Sequence, residues 1–124
     1  MDELYIPGDL VYHYLPKSTT IKYAKALIVS ANNALELEDM DGNIYDYIGE
    51  LYPIPLTLEI LEKNGFEHKD DVYFKEYPQR KLVVMDKKAY IINESCSLFL
   101  CKVEFVHQLQ HLLFGLGINY EMEL

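Results

Sequence analysis

Apolar and polar residues alternate with period two along much of the first fifty positions. In residues 9–14, DLVYHY, Leu10, Tyr12 and Tyr14 fall on one side of an extended chain, and Val11 and His13 on the other. A break at Leu15-Pro16-Lys17-Ser18-Thr19 follows. Residues 20–30, TIKYAKALIVS, predict a longer strand with Ile21, Tyr23, Lys25, Leu27 and Val29 on one side. Asn32-Asn33 is a turn signal, and ALELED (34–39) alternates again. Asp41-Gly42 predicts a two-residue type I′ hairpin, since both central residues need positive φ. NIYDYI (43–48) returns as the fourth strand. Four short strands at this spacing predict an antiparallel sheet curled into a small SH3-like barrel over residues 1–52.

The pattern changes in LYPIPLTLEILEKNGF, residues 51–66. Pro53 and Pro55 hold the chain extended. Thr57 suits an N-cap, Glu59 the positive helix start, Lys63 the negative end and Gly65 the left-handed residue after it. A helix of about two turns is expected, with Leu58, Ile60 and Leu61 as its apolar face. Strands resume at 72–77, 80–86 and 89–93, broken at Pro78-Gln79 and at a tight Asp86-Lys87-Lys88 turn, with SLFLC (97–101) as a further candidate. A final helix at about 103–116 closes the meander. The alternating tail Ile118, Tyr120, Met122, Leu124 predicts a last strand. The expected class is α+β and antiparallel β-rich: a barrel module at 1–52, then short helix, β-meander and C-terminal helix at 53–124, in one compact domain overall.

Charge narrows the function. The net charge of −9 repels nucleic acid and anionic membranes and suits a basic protein partner. No apolar run approaches the ~18 residues that a membrane span needs. MDELYIPGD has neither a basic start nor an apolar core, so no signal peptide is read there, and Cys96 and Cys101 are expected as reduced thiols in a cytoplasm.

The candidate chemistry is sparse. CSLFLCKVEFVHQLQH (96–111) places two cysteines ahead of two histidines. His107 and His111 lie one helical turn apart, opposite an apolar face of Phe105, Val106, Leu109, Leu112, Leu113 and Leu116. HQLQH lacks the glutamate of a metalloprotease helix, the cysteines point to opposite faces of a strand, and a finger needs about 12 residues where five are present. No metal is expected. The two histidines are expected on a solvated or partner-facing surface, which is the second choice of ligand-binding face, and the two cysteines as small core thiols. DMDGNIYDYIGE (39–50) has oxygen ligands at calcium-loop positions but Ile44 where the turn requires Gly. No nucleophile elbow, phosphate loop or triad pattern occurs, so no catalytic residue and no cofactor is expected. The strongest feature is the first hairpin. Tyr12, Tyr14, Lys17, Lys22, Tyr23 and Lys25, with His13 among them, set aromatic rings beside cations, as a nucleotide-like anion requires. A strand edge protected by lysines explains the same residues.

PIPLTLEILEKNGF (53–66) and FVHQLQHLLFGLG (105–117) resemble a family of small proteins encoded by phages and mobile elements of gut Bacteroidetes, with an IPLT…IL.KNGF centre and a VHQLQ ending. The chain departs from that pattern at His111, where the family has Asn. The resemblance implies a bacterial or phage setting, in the cytoplasm of a bacterial host cell, and a non-enzymatic accessory role. The expectation is a binding protein that sequesters a small nucleotide-like signal and blunts host defence, through a site shared between subunits of a homo-oligomer. The alternative is an acidic module that docks a basic host protein, and the third reading is a metal-dependent enzyme.

Overall fold

A computed structural model describes residues 5–30 and 33–124, with the side chains of 28–35 left out of the description. The chain divides into two compact units, Met1–Ile54 and Pro55–Leu124. The described residues form an α+β structure of two five-stranded antiparallel sheets and two helices.

The first unit holds β1 (Leu10–Tyr14), β2 (Ile21–Ser30), β3 (Asn33–Asp39), β4 (Ile44–Asp46) and β5 (Tyr52–Pro53), in the order β4-β3-β2-β1-β5. Tyr12 stands opposite Tyr23 and also opposite Tyr52, so β5 returns to the free side of β1. The barrel expected over 1–52 does not close. The edge strands β4 and β5 have three and two residues and do not pair, which leaves an open sheet. Two register shifts along β2 still bend it. One face packs Tyr5, Val11, Ala24, Ala26, Leu37 and Leu51, with Tyr45 and Tyr47 against them.

The turn signals are only partly obeyed. Asn32 lies outside the described residues, and Asn33 already opens β3. The β3–β4 loop is not the expected two-residue type I′ turn. It spans Met40-Asp41-Gly42, and within it only Gly42 has positive φ. The Asp39 carboxylate accepts from the backbone N–H of Asp41 and of Asn43, each at 2.9 Å. Those bonds favour a three-residue loop closed by a left-handed glycine. Two adjacent positive-φ residues occur instead at Asp86 and Lys87, between Met85 and Lys88, which stand opposite each other.

The second unit opens with α1 (Leu58–Lys63), capped by the Thr57 hydroxyl, which accepts from Ile60 N–H at 3.2 Å. It ends in a Schellman pattern: Phe66 N–H reaches Leu61 O and Gly65 N–H reaches Glu62 O, with Gly65 at φ 87. Lys75 Nζ donates to the carbonyl of the capping Asn64 at 2.9 Å. Then follow β6 (Glu67–Lys69), β7 (Val72–Tyr77), β8 (Arg80–Met85), β9 (Lys88–Ile92) and β10 (Ser97–Lys102), each paired with the next, and α2 (Val106–Gly115). The sequence does not predict β6, a three-residue strand with no alternation. The Gln108 side chain accepts from the N–H groups of Glu104 and Phe105 at the start of α2. At its end, Ile118 N–H bonds Leu113 O, and Arg80 donates to Leu116 O.

One face of this sheet is covered. Tyr73, Leu82, Val84 and Ala89 pack with Leu61, Phe66, Val103, Leu109 and Leu113. The tail alternates as expected but joins no sheet. Ile118, Tyr120 and Met122 lie against the core, and the Asn64 side-chain amide bonds both the N–H and the C=O of Glu123 at 2.8 Å. A single amide imitates a strand partner, so period-two burial appears without a ladder.

Leu109→Ala and Leu113→Ala should each cost about 2–5 kcal/mol in urea unfolding. Asn64→Ala should cost roughly 1–2 kcal/mol, with faster amide exchange at Glu123, since it strips two backbone groups of their partner.

Candidate functional site

Register decides which hairpin residues share a surface. Tyr12 and Tyr14 of β1 stand opposite Tyr23 and Ile21 of β2, and Leu10 stands opposite Lys25. Directly opposed residues lie on the same side of a sheet. Tyr12, Tyr14, Tyr23 and Lys25 therefore form one group. His13 and Lys22, which stand opposite each other, point to the other side. Lys17 lies in the exposed β1–β2 connection with φ 55.

The tyrosines make a connected cluster. Tyr12 stacks on Tyr52 at 5.4 Å and meets Tyr14 and Tyr23 edge-on at 5.9 and 6.4 Å. Tyr14 meets Tyr52 edge-on at 5.3 Å. Such geometry is the preferred one for ring quadrupoles. Tyr14 and Tyr23 remain 41% and 39% exposed, beside Ile21 at 41%. The Tyr52 hydroxyl donates to Glu50 Oε2 at 2.9 Å. Sequence reasoning missed Tyr52, because a two-residue strand ending in proline shows no periodicity.

On the opposite side, Lys22 is already engaged. Its Nζ lies 3.6 Å from Asp39 Oδ2 and 4.3 Å above the Tyr45 ring. His13 is 4% exposed and stacks on Tyr47 at 4.2 Å. Its Nδ1 lies 3.1 Å from Tyr14 O, and its Nε2 2.7 Å from the Tyr45 hydroxyl. A carbonyl only accepts, so Nδ1 carries the proton. The six hairpin candidates thus divide between an open tyrosine face with Lys25, an inward network with Lys22, and a loop with Lys17.

Burial and neighbouring charge act on these phenols. Desolvation raises Tyr12, Tyr45 and Tyr47, and the bond to Glu50, followed by burial, raises Tyr52. Bonds from Asn43, then from Asp41, with the charge of Lys22, lower the Asp39 carboxyl against a smaller opposing effect of desolvation.

The histidine pair differs from its expected setting. His107 is 1% exposed, and His111 is half-buried with its ring 5.5 Å away, edge-on. Val106, His107, Leu109, Gln110 and Leu113 are all buried, an arc of about 160° at 100° per residue. This is wider than the apolar stripe, so the expected solvated face does not form at His107. The cysteines are not both core thiols: Cys96 is exposed just before β10, and Cys101 is half-buried with its thiol pushed up by desolvation. Among the described residues, no three His, Cys, Asp or Glu side chains converge as metal ligands. No helix there is long and apolar enough to cross a membrane. No known protein family, curated protein or solved structure matches the chain.

Lys22→Ala should change stability by less than about 1 kcal/mol, because the Lys22 ammonium still reaches solvent and Asp39 keeps its bonds from Asp41 and Asn43. The raised phenols carry an alkaline signature. Unfolded tyrosines ionise near ~10, and the native state holds these protons longer, so stability should be level below that pH and fall as pH rises through the folded values. Urea midpoints followed across that range, with phenolate absorbance recorded in parallel, check it; a midpoint independent of alkaline pH would contradict it.

Proposed function

We propose that the chain is a non-enzymatic binding protein whose tyrosine face docks a cationic segment of a partner protein. The carrying observation is the cluster of Tyr12, Tyr14, Tyr23 and Tyr52 across three adjacent strands, open to solvent at Tyr14 and Tyr23. Tyrosine supplies large contact area with little side-chain entropy to lose, and its ring face attracts lysine and arginine. Glu50 stands at the rim on Tyr52, Lys25 lies at the Leu10 end of the same face away from Tyr14, and a net charge of −9 favours a basic partner. The strand order, with a fifth strand returning beside the first, agrees with an SH3-like barrel left open, a frame that presents side chains across a curved sheet. The resemblance to phage-borne proteins makes a host protein the natural partner.

A short arginine-rich peptide tests this by tyrosine fluorescence, which is direct in a chain with 11 Tyr and no Trp. Binding should weaken steeply with salt. Tyr14→Ala combined with Tyr23→Ala should lower affinity at least about tenfold, or roughly 1.4 kcal/mol, with the fold retained. Equal affinity in the double variant, or equal binding of a glutamate-rich peptide, would refute the reading.

A further inference from the structure

The second sheet has one covered face and one open face, and the open face is unusually apolar. Phe74, Val83, Tyr90 and Phe99 stand directly opposite one another across β7, β8, β9 and β10. Their neighbours Tyr73, Leu82, Val84 and Ala89 point to the core, so this row points away from it. The wet face of an antiparallel sheet ordinarily carries polar residues. Here Tyr90 and Phe99 rings lie 5.6 Å apart, and Phe99 is 52% exposed. Val83, at 5%, is sunk beneath its neighbours. It forms part of the lining of a cleft of about 540 Å³, together with Phe74, Tyr90, Met85 and Ile92. That size suits a small molecule, for which sites of about 300–1,000 Å³ are usual.

Four of the eleven Lys and Arg residues stand on this face. Lys69 and Lys81 line the same cleft, with Asp70 beside Lys69. Lys81 Nζ sits 4.9 Å above the Phe74 ring and 3.6 Å from Glu76 Oε1. Lys88 and Lys102 stand directly opposite each other at the end of the same face, next to Met85. Like charges so placed repel, and a bound anion relieves that repulsion. An apolar floor, flat rings on its walls and ammonium groups on its lining make a consistent demand on a ligand.

We propose that this cleft binds a planar, ring-bearing anion of mononucleotide size. The ring lies on Tyr90 above Val83, beside the Lys81 ammonium that covers Phe74, and the anionic group, phosphate or carboxylate, faces Lys69 at one end of the cleft. Stacking on an aromatic side chain accepts any base, while the lysines select for charge. This site is independent of the tyrosine face in the first unit.

Calorimetric titration of the full chain tests it with AMP, adenosine, inorganic phosphate and indole-3-acetate. AMP should bind saturably, adenosine at least about tenfold more weakly, and phosphate alone not at all. Indole-3-acetate binding as well as AMP would assign a carboxylate ligand, and weaker binding a phosphate; both fit the proposal. Lys69→Gln with Lys81→Gln should weaken AMP about tenfold, leave adenosine unchanged and leave the melting temperature nearly constant, because Lys69 is exposed and the Lys81–Glu76 pair is screened by solvent. Tyr90→Leu should weaken AMP and adenosine alike. No saturable binding of AMP or indole-3-acetate at millimolar concentration, or unaltered AMP affinity in the lysine variant, would overturn the proposal. So would sedimentation showing a dimer whose formation excludes AMP, since a second copy would then cover the cleft.

Discussion

Antiparallel pairing imposes one constraint on which the rest depends: every strand has two sides, and each sheet here has one side closed by packing. In the second unit the closing elements are α1, α2 and the tail, held by caps rather than by length. Lys75 and Arg80 each donate to a helix-end carbonyl, and Asn64 ties the tail to α1. In the first unit a bent sheet gathers Tyr5, Val11, Ala24 and Leu37 on one side. The opposite side must then be either plainly polar or useful. In both units it carries aromatic rings.

Local signals were the legible part. Thr57, Gly65 and the period-two runs predict α1 and most strands, because caps and alternation are decided within a few residues. Barrel closure was not legible, since it depends on whether β4 and β5, with three and two residues, meet across the sheet. The tail shows a different failure: alternation reports burial, and Asn64 supplies what a neighbouring strand would otherwise supply. At Asp41-Gly42 the turn residues are present, but the Asp39 side chain selects the longer loop.

The same distinction governs the sites. Tyr12, Tyr14 and Tyr23 share a face because they stand at matched positions in the register, which a hairpin reading can foresee. The engagement of Lys22 by Asp39 and Tyr45 depends on β3 and β4 and is invisible within the hairpin. The apolar row Phe74-Val83-Tyr90-Phe99 did leave a trace: VYFKEY, RKLVVMD and AYIIN carry apolar residues at positions of both parities. Such runs suggest a sheet buried on both sides. In this sheet they mark one buried side and one apolar side left open. Ring chemistry then separates the two surfaces by charge. On the first, Glu50 adjoins Tyr52 and Lys25 stands at the far end; on the second, Lys69 and Lys81 flank the rings with Asp70 and Glu76 beside them, so the proposed preferences are for a cation and an anion respectively.

The central claim is that each unit presents its own recognition surface, with opposite charge preference. NMR spectra of the methyl groups and tyrosine rings, recorded with AMP and then with an arginine-rich peptide, test it most directly. AMP should shift the Val83 and Ile92 methyl signals and leave the rings of Tyr14 and Tyr23 in place, and the peptide should do the reverse. Shifts of one common set by both ligands, or by neither, would contradict the account.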